Sequence, residues 1–319
     1  MGRVVATTHL PGDPARLLEG HAWSGPAAGE DAWPRARWLE ALATADALVC
    51  LLTDRIDAAA LDAGPRLRVV ANYAVGYDNV DVAAATARGV AVANTPDVLV
   101  EATADFTFAL LLAAARRLGE GERLVRAGQW RGWTPELLLG ADVGGRTLGI
   151  IGMGRIGRAV ARRAHGFGMR VLYTRGDAGD VGAATSVGLE ELLATSDAVS
   201  LHCPLTPETR GLIDARALAA MKPGAILVNT ARGAIVDDGA LADALERGHL
   251  GGAGLDVFTD EPRVDPRLLA APRAVLAPHL GSATTTARTR MAELCVTAVR
   301  DVLAGRRPPN LVNDPKARP

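Results

Sequence analysis

Three side chains of types suited to carbonyl reduction stand just after apolar runs. Arg232 lies in Asn229-Thr230-Ala231-Arg232-Gly233, His279 in Ala277-Pro278-His279-Leu280-Gly281-Ser282, and Glu261 in Asp256-Val257-Phe258-Thr259-Asp260-Glu261-Pro262. A planar guanidinium suits a carboxylate and the carbonyl beside it better than an ammonium does. A carbonyl carbon that receives hydride needs a proton for its oxygen, and histidine titrates in the useful range. A carboxylate beside that histidine fixes its ring and favours its protonated form. Taken singly, each residue reads more readily as a surface arginine, a hydrogen-bonded buried histidine or a solvated loop acid. The combination carries the chemical reading, because all three follow strand ends, the edge of an open α/β sheet where ligands bind.

A second constellation is Gly152-Met153-Gly154-Arg155-Ile156-Gly157, between the apolar run TLGII and the helical stretch RAVARRAHGF. The first glycine makes a tight turn, the second lets the backbone approach a pyrophosphate, and the third lets helix and strand pack closely. The helix start then offers free N–H groups to an anion. A glycine turn alone is a weak signal, and its place between strand and helix strengthens it. The end of the next strand, where an acid would hold the adenosine ribose, reads Leu172-Tyr173-Thr174-Arg175. An arginine there can pair with a 2′-phosphate, which an acid would repel, so NADP(H) is favoured over NAD(H). Asp177 is the complication: if it replaces Arg175 beside the ribose, the preference reverses.

Positioning these residues takes parallel strands. The runs RVVATT, ALVCLL, RVVANY, VAVAN, TLGIIG, MRVLYT, AVSLHC, AILVNT, AGLDVF and AVLAPH alternate with amphipathic helical stretches. They are continuously apolar, as strands buried on both faces are, which predicts an α/β protein with doubly wound parallel sheets. A boundary falls near residue 98, before an Ala/Leu-rich segment at 100–127 that reads as one helix, apolar around much of its circumference. That helix needs partners on more than one side, either the two domains or a second copy of the chain. Another boundary falls near 282–285, ahead of a helix that returns to the first domain. Residues 1–98 and 285–319 are then a discontinuous domain into which a nucleotide domain, 99–284, is inserted. The Pro-rich tail RRPPNLVNDPKARP is expected to fray.

Of the chain's 319 residues, 35 are basic and 36 acidic, so no long-range field favours nucleic acid or an anionic membrane. Cys50, Cys203 and Cys295 are too few and too scattered for a disulfide framework or a clustered zinc site, and no metal is expected. Without a signal peptide or a span of about 18 apolar residues, the chain is read as cytoplasmic.

The motifs ANYAVGYDNVDV, ANTPDVLVEATADFTFALLLAAAR, GIIGMGRIGRAVARRAHGFGM, LVNTARGAIVD, GAGLDVFTDEP and APHLGSAT resemble those of the D-isomer-specific 2-hydroxyacid dehydrogenases, and among them most closely the glyoxylate and hydroxypyruvate reductases. The resemblance implies a Rossmann domain inserted in a flavodoxin-like one, a homodimer formed through the nucleotide domain, and NAD(P)H-dependent reduction of a small 2-oxo acid to the D-2-hydroxy acid. It assigns substrate orientation to Arg232, proton donation to His279 and support of His279 to Glu261. The backbone of the loop at 74–76, with Val75 and Gly76, would hold the substrate carboxylate. Thr103, Thr230 and Asp256 would line the nicotinamide side and Cys203 and Pro204 the adenine side. Ala231, Gly281, Thr174, Arg175 and the turn from Gly152 through Met153, Gly154, Arg155 and Ile156 to Gly157 would complete the cofactor contacts. One departure is Leu137, in Trp133-Thr134-Pro135-Glu136-Leu137, where similar reductases carry a second tryptophan, so the substrate pocket can differ. Phosphoglycerate oxidation on the same scaffold and a nucleotide-sensing corepressor that binds protein partners are the competing readings, and turnover with a panel of 2-oxo acids separates the corepressor from the enzymes.

Overall fold

The computed structural model describes residues 1–18 and 20–315. The chain divides into two compact units, one made of residues 1–99 with 284 onward, the other of residues 100–283.

The first unit is built on five parallel strands, β1 (Arg3–Ala6), β2 (Ala22–Ser24), β3 (Ala47–Cys50), β4 (Val69–Asn72) and β5 (Ala91–Ala93), in the order β2-β1-β3-β4-β5. This is the flavodoxin-like order. β3, β4 and β5 are buried at every position, so they read in sequence as unbroken apolar runs. The helix Thr285–Leu303, capped by the Thr284 side chain on Ala287 N, lays Met291, Ala292, Cys295, Val296 and Val299 onto β3, β4 and β5. Contrary to the fraying expected of the tail, residues 310–313 run antiparallel to β5: Leu311 bridges Ala93, Val312 N donates to Val92 O, and the Asn313 carboxamide bonds Val92 N and Val90 O at 2.8 and 3.0 Å. Residues 316–319 of that tail lie outside the described residues.

The second unit carries seven parallel strands, β6 (Thr147–Met153), β7 (Arg170–Gly176), β8 (Ala184–Ser186), β9 (Ala198–Leu201), β10 (Ile226–Asn229), β11 (Gly252–Leu255) and β12 (Ala274–Leu276). Their order is β12-β11-β10-β9-β6-β7-β8, the doubly wound dinucleotide order with one strand added. The order reverses between β6 and β9, so the carboxyl ends of these two strands flank the switch point. The helix Val100–Ala115 crosses this sheet and buries Thr103, Ala104, Thr107, Phe108, Leu110, Leu111, Ala114 and Ala115. Gly254 permits the approach, since a Cβ there would lie 2.8 Å from Leu110 Cβ. Each large side chain so buried is worth about 1.5–3 kcal/mol.

The single helix expected over 100–127 is broken. It stops at Ala115, Arg117 takes a left-handed φ of 53°, and a separate helix, Leu118–Arg126, buries none of its residues. A non-glycine residue in that conformation costs about 1–2 kcal/mol, held here by the Arg117–Glu120 ion pair at 2.7 Å, and it turns the chain off the sheet. Among the described residues no helix is long and apolar enough to cross a membrane, and no group of His, Cys, Asp and Glu is arranged to hold a metal.

Candidate active site

β10 ends at Asn229, whose buried carboxamide shapes the turn beyond the strand. Its Oδ1 accepts from Ala231 N at 3.0 Å and its Nδ2 donates to Arg232 O at 2.9 Å. This side-chain turn presents Arg232 at the start of the short 3₁₀ turn Gly233–Ile235. Gly233 has no room for a side chain: a Cβ would fall 1.9 Å from Phe258 C. The Arg232 turn therefore packs against the backbone that leads to Glu261.

Glu261 accepts Phe258 N on Oε1 at 3.0 Å and meets His279 Nδ1 through Oε2 at 3.0 Å. Burial pushes the Glu261 carboxyl up, but the hydrogen bond and charge of His279, then Phe258 N and Arg232, outweigh it and hold the group below its ordinary value. With Nδ1 committed to Glu261, Nε2 is the ring nitrogen available for proton transfer. His202 is a different case: burial pushes it down to about 3, and its Nε2 sits 2.8 Å from Ser200 Oγ, so it is a neutral structural imidazole.

His279 occupies a left-handed backbone conformation, φ 55°. Asp256, just after β11, accounts for it: its carbonyl accepts His279 N at 2.9 Å, Oδ1 accepts Leu280 N at 2.5 Å and Oδ2 accepts Gly281 N at 2.7 Å. Burial raises the Asp256 pKa, and the two N–H groups only partly counter that. In sequence Asp256 reads as a cofactor contact, whereas its carboxylate oxygens are engaged in fixing the turn that carries His279. Asn229 has no role in the sequence reading either, although an asparagine three residues before a strand-end arginine is the signal of such a turn.

Around this turn the structure gathers other expected positions. A Cβ on Gly281 would lie 3.1 Å from Asp256 Oδ2 and 3.4 Å from Thr103 Cγ2. Thr107 Oγ1 links Thr103 O at 2.8 Å to Thr230 Oγ1 at 2.9 Å. Thr103, Thr230, Asp256 and Gly281 thus share one neighbourhood in the second unit with Arg232, Glu261 and His279. Val75 and Gly76 belong to the first unit, in the loop after β4.

The glycine turn fits a dinucleotide. Gly152, at φ 104°, brings β6 against β9 so closely that a Cβ would lie 2.4 Å from Cys203 N, and a Cβ on Gly157 would lie 2.3 Å from Gly152 O. By contrast, a Cβ on Gly154 would meet nothing within 4 Å, so the middle of the turn faces open space. The helix Arg155–Gly166 starts there with no side-chain cap on its first N–H groups. Met153 contributes backbone only, its side chain lying in the core. Ile156 and Thr174 are half-buried, Cys203 is buried, and Arg155, Arg175 and Pro204 are exposed. Arg175, the last residue but one of β7, has φ 61°, and its charge reaches Cys203 and Glu208. Asp177 turns elsewhere: its carbonyl accepts Arg158 Nε at 2.8 Å and its carboxylate lies 3.6 Å from Arg158 Nη2.

A dinucleotide sheet with a carboxylate–histidine pair and an arginine at its strand ends defines the class of nicotinamide-dependent oxidoreductases. Residues 108–281 match the D-isomer specific 2-hydroxyacid dehydrogenase, NAD binding domain. The glyoxylate reductase of Thermococcus litoralis is 47% identical over 98% of this chain and 96% of its own. Among solved structures, the TT0316 protein of Thermus thermophilus superposes with a TM-score of 0.91 at 51% identity, covering 98% of this chain and all of that one. The NADPH-dependent glyoxylate/hydroxypyruvate reductase of Sinorhizobium meliloti gives 0.85 at 33% identity over the whole of both chains. The chain belongs to the D-isomer specific 2-hydroxyacid dehydrogenase family.

Proposed function

We propose that this protein reduces glyoxylate or hydroxypyruvate to glycolate or D-glycerate, with NADPH preferred to NADH. The observation that carries the reading is the His279–Glu261 contact of 3.0 Å, set on a turn that Asp256 fixes by three hydrogen bonds, with the Arg232 turn packed beside it. The Thermococcus litoralis relative is a glyoxylate reductase and the Sinorhizobium meliloti one a glyoxylate/hydroxypyruvate reductase.

In this reading the first unit is the substrate domain and the second the nucleotide domain. When bound, a reduced nicotinamide would supply the hydride that the carbonyl carbon receives. Arg232 takes the substrate carboxylate and the carbonyl oxygen in its guanidinium fork, drawing electron density from the carbon. His279 hands its Nε2 proton to the oxygen as that oxygen gains charge, and Glu261 stabilises the imidazolium beforehand and orients its ring. Gly152 to Gly157 and the following helix start would hold the pyrophosphate, helped by Arg155 and the half-buried Ile156, and Cys203 and Pro204 would line the adenine side. Support for NADPH comes from Arg175, exposed at the end of β7, with Asp177 drawn away to Arg158.

The chain acts as a homodimer. Leu118, Val125, Trp130, Trp133 and Leu139 are 55–80% exposed within one stretch of the second unit, a run of apolar surface that a second copy covers. Three buried free thiols suit the reducing cytoplasm.

Turnover of glyoxylate, hydroxypyruvate and longer 2-oxo acids with both cofactors tests the reading. A long-chain 2-oxo acid far ahead in kcat/KM, or no turnover of any, overturns it.

A further inference from the structure

The loop after β4 is held from one side only. Its three successive carbonyls are each bound by a different donor: Ala74 O accepts Thr95 N at 2.9 Å, Val75 O accepts Asn94 Nδ2 at 2.8 Å, and Gly76 O accepts Asn72 Nδ2 at 2.8 Å. The donors sit on the carboxyl ends of β4 and β5. In a planar trans peptide the C=O of one residue and the N–H of the next point in opposite directions. Binding these carbonyls toward the strand ends therefore turns the N–H groups of Val75, Gly76 and Tyr77 away from them. Among the described residues none of those three N–H groups has a hydrogen-bond acceptor.

The donors are themselves braced. Asn72 is fully buried, and its carboxamide is paired with that of Asn79, whose Nδ2 also reaches Leu51 O and Asp54 O at 3.1 and 3.0 Å. The backbone of Asn94 is clamped on both sides by Asn310, which accepts Asn94 N at 3.2 Å and donates Nδ2 to Asn94 O at 2.6 Å. An isolated loop of this length would sample many peptide orientations, and fixing each residue costs about 1–2 kcal/mol. Here the cost is met by buried carboxamides before any ligand arrives.

We infer that Asn72 and Asn94 are positioning residues that aim the N–H groups of Val75, Gly76 and Tyr77 as a preformed cradle for the substrate carboxylate, and that Asn310 holds Asn94 in register. The inference rests on the functional reading above, together with the family resemblance that gives this loop a share of the substrate carboxylate beside Arg232. It adds that recognition depends on side-chain amides that never touch the substrate. A carboxylate is bound alike before and during hydride transfer, so weakening the cradle raises KM and spares kcat.

The test compares Asn94→Ala and Asn310→Ala with the parent, measuring glyoxylate kinetics, inhibition by oxalate, cofactor Kd and Tm. For Asn94→Ala the expected result is a KM for glyoxylate raised roughly tenfold and oxalate inhibition weakened by the same factor, with kcat and cofactor Kd within about twofold of the parent. Asn310→Ala, whose side chain lies outside the loop, shows the same split to a smaller degree, which keeps the test decisive should Asn94→Ala fold poorly. An active parent whose two variants, folded by Tm, keep the parental KM and oxalate inhibition overturns this inference alone. So does a variant in which kcat falls as far as KM rises. A parent that neither turns over a 2-oxo acid nor binds oxalate overturns the functional reading, and this inference with it.

Discussion

Replacing Asp256 with asparagine removes one acceptor and nothing else of size, so the cost can be worked out. Leu280 N and Gly281 N each donate to one oxygen of the buried Asp256 carboxylate, at 2.5 and 2.7 Å. Hydrogen bonds to a charged group contribute about 1.5–3 kcal/mol each. The asparagine keeps one of them and sets an N–H against the other donor. His279 at φ 55° also stores about 1–2 kcal/mol that the turn must hold. Losing roughly 2 kcal/mol of restraint against roughly 1 kcal/mol of strain lets the turn relax and takes His279 out of line with Glu261. The strain is common to parent and variant, so the roughly 2 kcal/mol of lost restraint, at 1.36 kcal/mol per tenfold, predicts a roughly thirtyfold fall in kcat. The assay is steady-state reduction of glyoxylate at saturating cofactor, with cofactor Kd and Tm measured alongside. If Asp256 instead contacts the nicotinamide directly, Asp256→Asn raises the cofactor Kd and leaves kcat within about threefold of the parent. That pattern in a folded variant refutes the turn argument.

Arg232→Ala is expected to lower kcat/KM by roughly 10²–10⁴-fold with cofactor Kd nearly unchanged, since a bidentate charge-assisted pair in a dry site is worth a few kcal/mol; near-normal kinetics remove Arg232 from the site. In Glu261→Gln the His279 ring loses the carboxylate 3.0 Å away that orients it, so kcat for reduction is expected to fall with cofactor Kd unchanged, and an unchanged kcat counts against the pairing. The same variant reports on stability. The Glu261 pKa is depressed in the fold, so its contribution is present above 4.5, its ordinary value, and is lost as pH falls through the lowered one. The Tm gap between parent and Glu261→Gln should therefore close on acidification, and a gap that persists there would point to packing instead of charge. Arg175→Ala is expected to cut the NADPH-to-NADH ratio of kcat/KM by roughly tenfold or more; an untouched ratio makes Arg175 a surface residue.

The ten apolar runs read from sequence all became strands, because strands buried on both faces leave an unbroken apolar record. β2 and β8 left none. They are three-residue edge strands, AWS and ATS, half-buried or exposed, and only their neighbours' backbones define them. The break at Arg117 was missed for a different reason: Gly119 and Gly121 weaken the helix there without marking where it stops, and the left-handed residue itself is an arginine held by an ion pair. Composition likewise pointed to a frayed tail, where the bonds of Asn310 and Asn313 to β5 are individual side-chain contacts with no compositional signature. Within the site, Arg232, Glu261 and His279 were legible as residue types at strand ends. The Asn229 turn left a local signal that the reading did not use, whereas the work of Asp256 was not legible, because a carboxylate that restrains a turn 24 residues away carries no local mark.

His279 and Arg175, to which the proposed function gives the proton transfer and the cofactor choice, have positive φ at 55° and 61° although neither is glycine. Their restraints differ in a way that bears on how each can vary. The His279 turn is fixed three times over by Asp256, so its strained backbone is over-determined and the side chain can be held in register with Glu261. The Arg175 turn is fixed by its neighbours: Gly176 follows at φ 115° with a would-be Cβ only 2.8 Å from Met153 O, and Asp177 is tied to Arg158 through Nε. The exposed guanidinium of Arg175 takes no part in those restraints. The backbone that presents position 175 is therefore set by β6 and by Arg158, independently of the side chain found there. On the proposed function, substitution at position 175 changes cofactor preference without disturbing the turn, whereas His279 cannot move without dismantling the Asp256 bonds.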